Sequence, residues 1–273
     1  GAALTTDSLT VSGAVNLSNF HVGAQTRPNI VLGRTDLPNA LGISQGSLNN
    51  ILTGYMYFNV PSGGFAVDSG SATPVILPGV SEYIYPHAAQ ISITSPLWLT
   101  QTGTGIYLNS SVIDINAAVT AGTGGIFLGR NANSHAYLVG VASKSYPANT
   151  LELTNTELNH IVTTGPLVIG DPYNAHNATP GPMQIVGPID TSGIGTQLRL
   201  VGDGVTQAPG ATITAAKLAV DSYGAINLPE ANQVGVFAAN SSTAGVTFNN
   251  TGPLTIGNVE TTPYPYYFAT SCV

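Results

Sequence analysis

The stretch Gly42-Ile43-Ser44-Gln45-Gly46 fits G-x-S-x-G, the pattern that in many hydrolases presents a nucleophilic serine on a strained turn between a buried strand and a helix. The context that gives the pattern its meaning is missing here. Residues 34–40, RTDLPNA, are polar and interrupted by Pro38, so no apolar strand runs into the serine. With 32 glycines in 273 residues, a chance match also comes easily. Carboxylates are the next residues that could do chemistry, because acid-base and metal-assisted enzymes gather them on one surface. The 13 Asp and Glu never come closer than five positions, as in Glu152 and Glu157, so no strand carries an i, i+2 pair. Stacked coils could still bring Asp171 near Asp190, or Asp203 near Asp221. Against that, GDP, VGDG and VDSYG are turn chemistry. His21, His87, His135, His160 and His176 are far apart and show no ligand spacing such as H-x-x-x-H. No catalytic, cofactor-binding or metal-ligating set emerges, so the expectation is a protein that is not an enzyme and carries no cofactor.

The elements that would position any site are strands. The chain is 43% hydrophobic, enough for a large core, yet only 7% charged, against roughly a quarter in an average soluble domain. Its surface must therefore consist of Ser, Thr, Asn, Gln and Gly. Net charge is -7 with six scattered Lys and Arg, which leaves no basic stripe for nucleic acid. No apolar run approaches the eighteen or so residues of a membrane helix. The start GAALTT lacks an initiator Met and a charged-then-apolar leader, which reads as the mature or excised form of an exported chain. Cys272 is the single cysteine, so no intrachain disulfide can form. Short alternating runs recur throughout, among them NIVLG, QISITSPLWLT, GIYLN, AYLVGVA and QLRLVG, with Gly, Asn and Pro punctuating the chain between and within them. No sustained 3.6-residue apolar period occurs, so almost pure strand is expected.

Internal repeats choose between a sandwich and a solenoid. NIVLGR (29–34) returns as GIFLGR (125–130), and TGPLVIG (164–170) returns as TGPLTIG (251–257). LGISQGSLNNILT (41–53) aligns without a gap on LELTNTELNHIVT (151–163), which pairs Ser44 with Thr154 and Asn50 with His160. Ser44 is thus a repeat position that accepts either hydroxyl residue, and its flanking glycines are replaced by Glu152 and Thr156 in the second copy. Self-similarity in a strand-only chain is the mark of a solenoid, whose coils bury their apolar faces by stacking. The expected fold is all-β, a right-handed parallel β-helix over 1–260. An aromatic, Pro- and Gly-rich excursion is expected at about 55–90, and a C-terminal tail at 261–273. Ile43, Leu48, Ile51, Leu153, Leu158 and Ile161 should face the core.

The segments IDINAAVTAGTGGIFLG (113–129), LTNTELNHIVTTGPLVIG (153–170), ITAAKLAVDSYGAINLPEANQVGVFAAN (213–240) and FNNTGPLTIGNV (248–259) resemble the filamentous-haemagglutinin-like exoproteins of bacterial two-partner secretion. The likeness covers most of 100–260. It implies a secreted, non-catalytic, elongated adhesin with a right-handed β-helical shaft. Members of that family carry a secretion domain with an Asn-Pro-Asn-Gly type motif, and no Asn-Pro occurs here. They are also commonly longer, so a fragment or a subunit is expected.

Candidate sites follow from what lies outside the repeat. Tyr55, Tyr57 and Phe58, gathered with Phe65, Tyr83 and Tyr85, could form a subunit contact or a sugar platform, or could fold back over the coils. The tail brings together Tyr264, Tyr266, Tyr267, Phe268 and Cys272, which could cover the next subunit or the chain's own last coil. Asn16, Asn109, Asn177, Asn240 and Asn249 head Asn-x-Ser/Thr triplets, acceptors only where the source glycosylates exported chains. The expectation is an extracellular, cell-surface structural protein whose partners are copies of itself in a filament, with a lone adhesin shaft binding a glycan or host surface as the alternative. A polysaccharide-cleaving β-helix is a third reading that the carboxylate spacing disfavours.

Overall fold

Runs of β-branched and aliphatic residues favour extended chain, and the period of two puts alternate side chains on one face. The computed structural model describes residues 1–129, 136–170, 181–242 and 244–259, and these residues are mostly strand. Two compact units form: Gly1–Ile126 with His160–Val162, and Phe127–Asn159 with the described residues from Thr163 onward.

The first unit holds β1 (Ala2–Thr6), β2 (Val15–Ala24), β3 (Asn29–Gly33), β4 (Ala40–Ser44), α1 (Gln45–Asn49), β5 (Ile51–Val67), β6 (Val75–Leu77), β7 (Val80–Ile93), β8 (Leu97–Leu99), β9 (Gly105–Asn109), β10 (Ile113–Ile115) and β11 (Val119–Ala121). Its registers are parallel. Val75 pairs with Leu97 and Leu97 with Val119, while Tyr83 pairs with Gly105 and Ile91 with Ile113, so the same displacement along the chain recurs in all four pairings. Such a register stacks like on like. Ile30, Phe65, Ile91 and Ile113 form one inward column, and Leu32, Val67, Ile93 and Ile115 another. None of these eight is more than 1% exposed. Each large apolar side chain buried in these columns contributes roughly 1.5–3 kcal/mol.

The strands β12 (Gly125–Gly129) and β15 (Ile161–Thr163) bridge the unit boundaries in sequence. The second unit continues with β13 (Ala136–Val139), β14 (Thr150–Leu153), α2 (Asn155–Leu158), β16 (Leu167–Gly170), β17 (Met183–Ile185), β18 (Ile189–Asp190), β19 (Leu198–Gly202), β20 (Val205–Gln207), β21 (Ile213–Ser222), β22 (Ile226–Ser241), β23 (Val246–Asn250) and β24 (Thr255–Ile256). Its registers are again parallel. Leu198 stacks on Leu218 and Phe237, and Met183 on Val205 and Ile226, with a step that varies slightly from one pair to the next.

The two copies of the long repeat fold alike, each as strand, one helical turn and strand. Ser44 is the N-cap of α1, and its Oγ accepts the Ser47 amide at 3.2 Å. Thr154 is the N-cap of α2, where its Oγ1 accepts the Glu157 amide at 3.1 Å and the Glu157 Oε2 accepts the Thr154 amide at 2.9 Å, a reciprocal capping box. The hydroxyl that the repeat conserves in kind is thus a cap. Ser44→Ala should lower stability by about 1 kcal/mol, and Thr154→Ala by about the same or more because it also breaks the box. Urea melts of the two variants check this; loss of a hydrolytic activity on Ser44→Ala with the fold intact would make the serine a nucleophile instead. The inward set is as expected: Ile43, Leu48, Ile51, Leu153, Leu158 and Ile161 are all at most 3% exposed.

The segment 55–90 differs from the expected excursion. It supplies most of β5 and β7, whose paired registers run from Thr53↔Val80 to Val67↔Ile93 with irregularities at Thr53/Tyr55 and Val60/Gly64. At the second irregularity the chain passes so close to Pro28 that a Cβ on Gly63 would overlap the Pro28 carbonyl oxygen. Glycine is required there, which explains a glycine pair in the middle of a strand.

Candidate functional site

Strand alternation builds the most distinctive surface of the first unit. In β5 the residues Met56 and Phe58 point inward, at 1% and 0% exposure, so Tyr55 and Tyr57 must point outward. The register places Tyr55 beside Tyr83 and Tyr57 beside Tyr85 on β7, and His21 of β2 beside Tyr57. The His21 and Tyr57 rings stack at 4.3 Å and 5°, and Tyr57 and Tyr85 at 4.8 Å and 7°. Tyr85 meets Tyr107 of β9 at 5.9 Å in a tilted contact. Tyr55 and Tyr83, in register at 6.3 Å, make a second row, and the contact Tyr55–Tyr57 along β5, also at 6.3 Å, ties it to the first.

The spacing of the column equals the spacing of the strands, so each ring lies on the ring of the next strand. In the His21–Tyr57–Tyr85 run the faces of neighbouring rings are turned toward one another. Within that run Tyr57 is stacked on both of its faces. The array acts first as a cross-strand clamp, each aromatic pair contributing about 0.5–1.5 kcal/mol beyond its buried area. Tyr55 also hydrogen-bonds the Glu82 carboxylate, and that bond, with desolvation and the Glu82 charge, holds its phenol well above the ordinary tyrosine range.

Of the other residues singled out by sequence, Phe58 is a core residue rather than a contact, because its whole side chain is covered. Asn109 is likewise corrected. It is 8% exposed on a strand whose five residues are all buried, leaving no room for a glycan. Asn16, Asn240 and Asn249 are exposed, and Asn249 Nδ2 donates to the Pro229 carbonyl at 3.1 Å. Asn177, Tyr264, Tyr266, Tyr267, Phe268 and Cys272 lie outside the described residues, as do Asp171, His135 and His176. Asp221 does not pair with another carboxylate: it takes Arg199, whose Nε and Nη2 reach its Oδ2 at 2.7 and 2.6 Å. His160 Nδ1 lies 2.8 Å from the Ile115 carbonyl oxygen, which can only accept, so that nitrogen carries the proton. Its repeat partner Asn50 donates to the Val11 carbonyl at 2.7 Å, so the polar position does the same work in both copies.

Among the described residues no three His, Cys, Asp or Glu side chains group so as to hold a metal ion, and no helix is long and apolar enough to cross a membrane. A groove of about 440 Å³ in the first unit is lined by residues that include Leu37, Pro38, Val31, Gly64 and Ala66, and none of its lining residues is titratable. Lys144 and Glu157 form a second buried ion pair, at 2.5 Å. Glu152 is desolvated, yet the amides of Ser145 and Tyr146 and the Ser145 hydroxyl outweigh that and hold its carboxyl below the usual range. Sequence reasoning did not single out the ion pairs or the part played by His21. The signals were the recurrence of Tyr-x-Tyr at 55–57 and 83–85, and opposite charges on strands that pair in parallel, at Arg199 and Asp221.

The class defined by these features is an all-β protein of parallel sheets whose polar and aromatic contacts reinforce strand register. No known family, curated protein or solved structure matches the chain.

Proposed function

We propose that the protein is a secreted, non-catalytic structural and adhesive element, a right-handed parallel β-helix that serves as the repeating subunit of an extracellular filament. The observation that carries the reading is the unchanging displacement from Val75 to Leu97 to Val119, shared by the neighbouring pairs Tyr83–Gly105 and Ile91–Ile113, with apolar columns running along these strands. One coil stacked on the next is the simplest path that gives a chain this register. The right hand follows the general preference of parallel crossovers and the resemblance to haemagglutinin-like shafts. The polar chemistry supports the same reading, since the caps, the Arg199–Asp221 pair and the tyrosine column all serve to hold strands in place. Tyr55 and Tyr57 remain subunit-contact candidates, and the aromatic tail a connector.

Electron microscopy of the purified chain tests the proposal. Regular fibres are expected, and a variant lacking residues 264–273 should remain folded but form none. Isolated rods under all conditions would favour the lone adhesin shaft. Cleavage of an acidic polysaccharide with added calcium would overturn the non-catalytic reading.

A further inference from the structure

Lys144 is one of only two lysines in the chain, and its ammonium is withdrawn from water. The side chains of Lys144 and Glu157 are 7% and 9% exposed, with Nζ 2.5 Å from Oε1. The cap of a helical turn at this repeat position does not require that arrangement. In the aligned first copy Gly42 stands in the place of Glu152 and Ser47 in the place of Glu157, and Ser44 caps α1 without a carboxylate. The second copy therefore buries two acids that the first does without, and sets an amine against one of them. The other buried pair, Arg199 with Asp221, differs in kind, because a guanidinium keeps its proton and has no free lone pair to attack with.

The two oxygens of Glu157 have different surroundings. Oε2 accepts the Thr154 amide at 2.9 Å and the Thr154 hydroxyl at 3.0 Å, two donors converging on one oxygen as in an oxyanion hole. Oε1 meets the amine, and the carboxyl carbon Cδ lies only one bond of about 1.2 Å beyond it. The lysine itself is held in a strained loop. Between β13 and β14 the non-glycine residues Tyr146 and Asn149 take φ of 53° and 62°, which persists only where the surroundings enforce it. Glu152 enforces it. Its carboxylate accepts the Ser145 amide at 2.6 Å, the Tyr146 amide at 2.8 Å and the Ser145 hydroxyl at 2.9 Å, which fixes the backbone next to Lys144.

From this geometry we propose that Lys144 and Glu157 condense to an intramolecular amide, an isopeptide bond that ties the loop 140–149 to α2. A proton passes from Nζ to Oε1 across their contact, leaving a neutral amine and a carboxylic acid, the form that burial favours over two ions. The Nζ lone pair then attacks Cδ, and negative charge gathers on Oε2, where the Thr154 amide and hydroxyl hold it. A second proton moves from Nζ to Oε1, the Cδ–Oε1 bond breaks, and water leaves. One C–N bond replaces one C–O bond, and no oxidant or reductant takes part. Fixed contact between the partners supplies the effective concentration that a free acid and amine lack. With a single cysteine the chain cannot close an internal disulfide, and the amide is a covalent staple still open to it. The bond needs only one chain, whatever that chain assembles into.

Intact-mass spectrometry of the 273-residue chain, with its strand content checked by circular dichroism, tests the bond. The wild type should weigh one water less than its sequence, and Lys144→Arg and Glu157→Ala should each return to the full sequence mass. A lysine-specific protease gives a second readout on the denatured wild type, so the result does not depend on how well the variants fold. It cuts after a free Lys144 and after Lys217, but an acylated Lys144 is no longer a substrate. Cutting at 217 alone is expected, and fragment spectra should show a branched peptide joining residues 144 and 157. A folded wild-type chain that keeps its full sequence mass and is cut after Lys144 would overturn the bond and leave a plain ion pair. Loss of water that persists in Lys144→Arg, or a branch point mapped to any other pair of residues, would overturn it equally.

Discussion

Asp221→Ala should destabilise the second unit by about 3–5 kcal/mol, the loss expected when one member of a buried ion pair is removed. That is a large share of the roughly 5–15 kcal/mol that holds a typical domain folded. The side chains of Arg199 and Asp221 are 4% and 11% exposed, and two guanidinium nitrogens converge on one carboxylate oxygen. The two residues stand on β19 and β21, with Arg199 registered beside Ala219 and Asp221 beside Val201, so the pair links adjacent strands diagonally. An arginine does not shed its proton, so the buried charge persists when its partner is removed. Asp221→Asn keeps an acceptor oxygen and should lose less. Replacing both partners, Arg199→Met with Asp221→Leu, should recover most of the loss, because the desolvation of two charges is then avoided. Urea unfolding of the three variants gives the comparison. An Asp221→Ala loss below about 1 kcal/mol would mean that the pair is solvated and behaves as a surface contact.

What was readable in the sequence follows from where the information lies. Strand type, parallel pairing within repeats and the inward set at Ile43, Leu48, Ile51, Leu153, Leu158 and Ile161 were legible because they depend on apolar period and on copies related by identity. The regularity of residues 75–121 was harder to see. Its strands β6, β8 and β11 advance by an equal step with hardly an identical position, since a core column needs only apolar residues of similar bulk, as Val75, Leu97 and Val119 show. The segment 55–90 looked foreign because the offset between β5 and β7 changes along the pair. Thr53 meets Val80, Tyr55 meets Tyr83 and Gly64 meets Gln90, and no single shift of the sequence aligns all three. The density of aromatics there signals a ladder because tyrosines at equal register stack upon one another. Contacts that depend on register, such as His21 on Tyr57 or Arg199 on Asp221, become visible only when the strand pairing is known at each step.

Leu158→Asp should cost several kcal/mol and is expected to unfold the second unit at moderate temperature. Leu158 closes α2 and is 0% exposed, as its repeat counterpart Leu48 is 1% exposed on α1. An aspartate in that place must either ionise in an apolar setting or take a proton, and both carry the cost of a buried polar group without a designed partner. Its neighbour Glu157 is already engaged with Lys144 and with the cap of Thr154, so a second carboxylate beside it adds repulsion. Two controls separate this cause from a general effect of mutating the motif. Leu158→Met conserves volume and should cost less than about 1.5 kcal/mol. Val162→Asp falls four positions on, where the side chain is 52% exposed between two buried neighbours, and should stay within about 0.5 kcal/mol of wild type. Stability lost equally at 158 and 162 would show that the alternation of inward and outward positions does not govern this segment. Stability retained at both would show that the repeat is not the core-building unit.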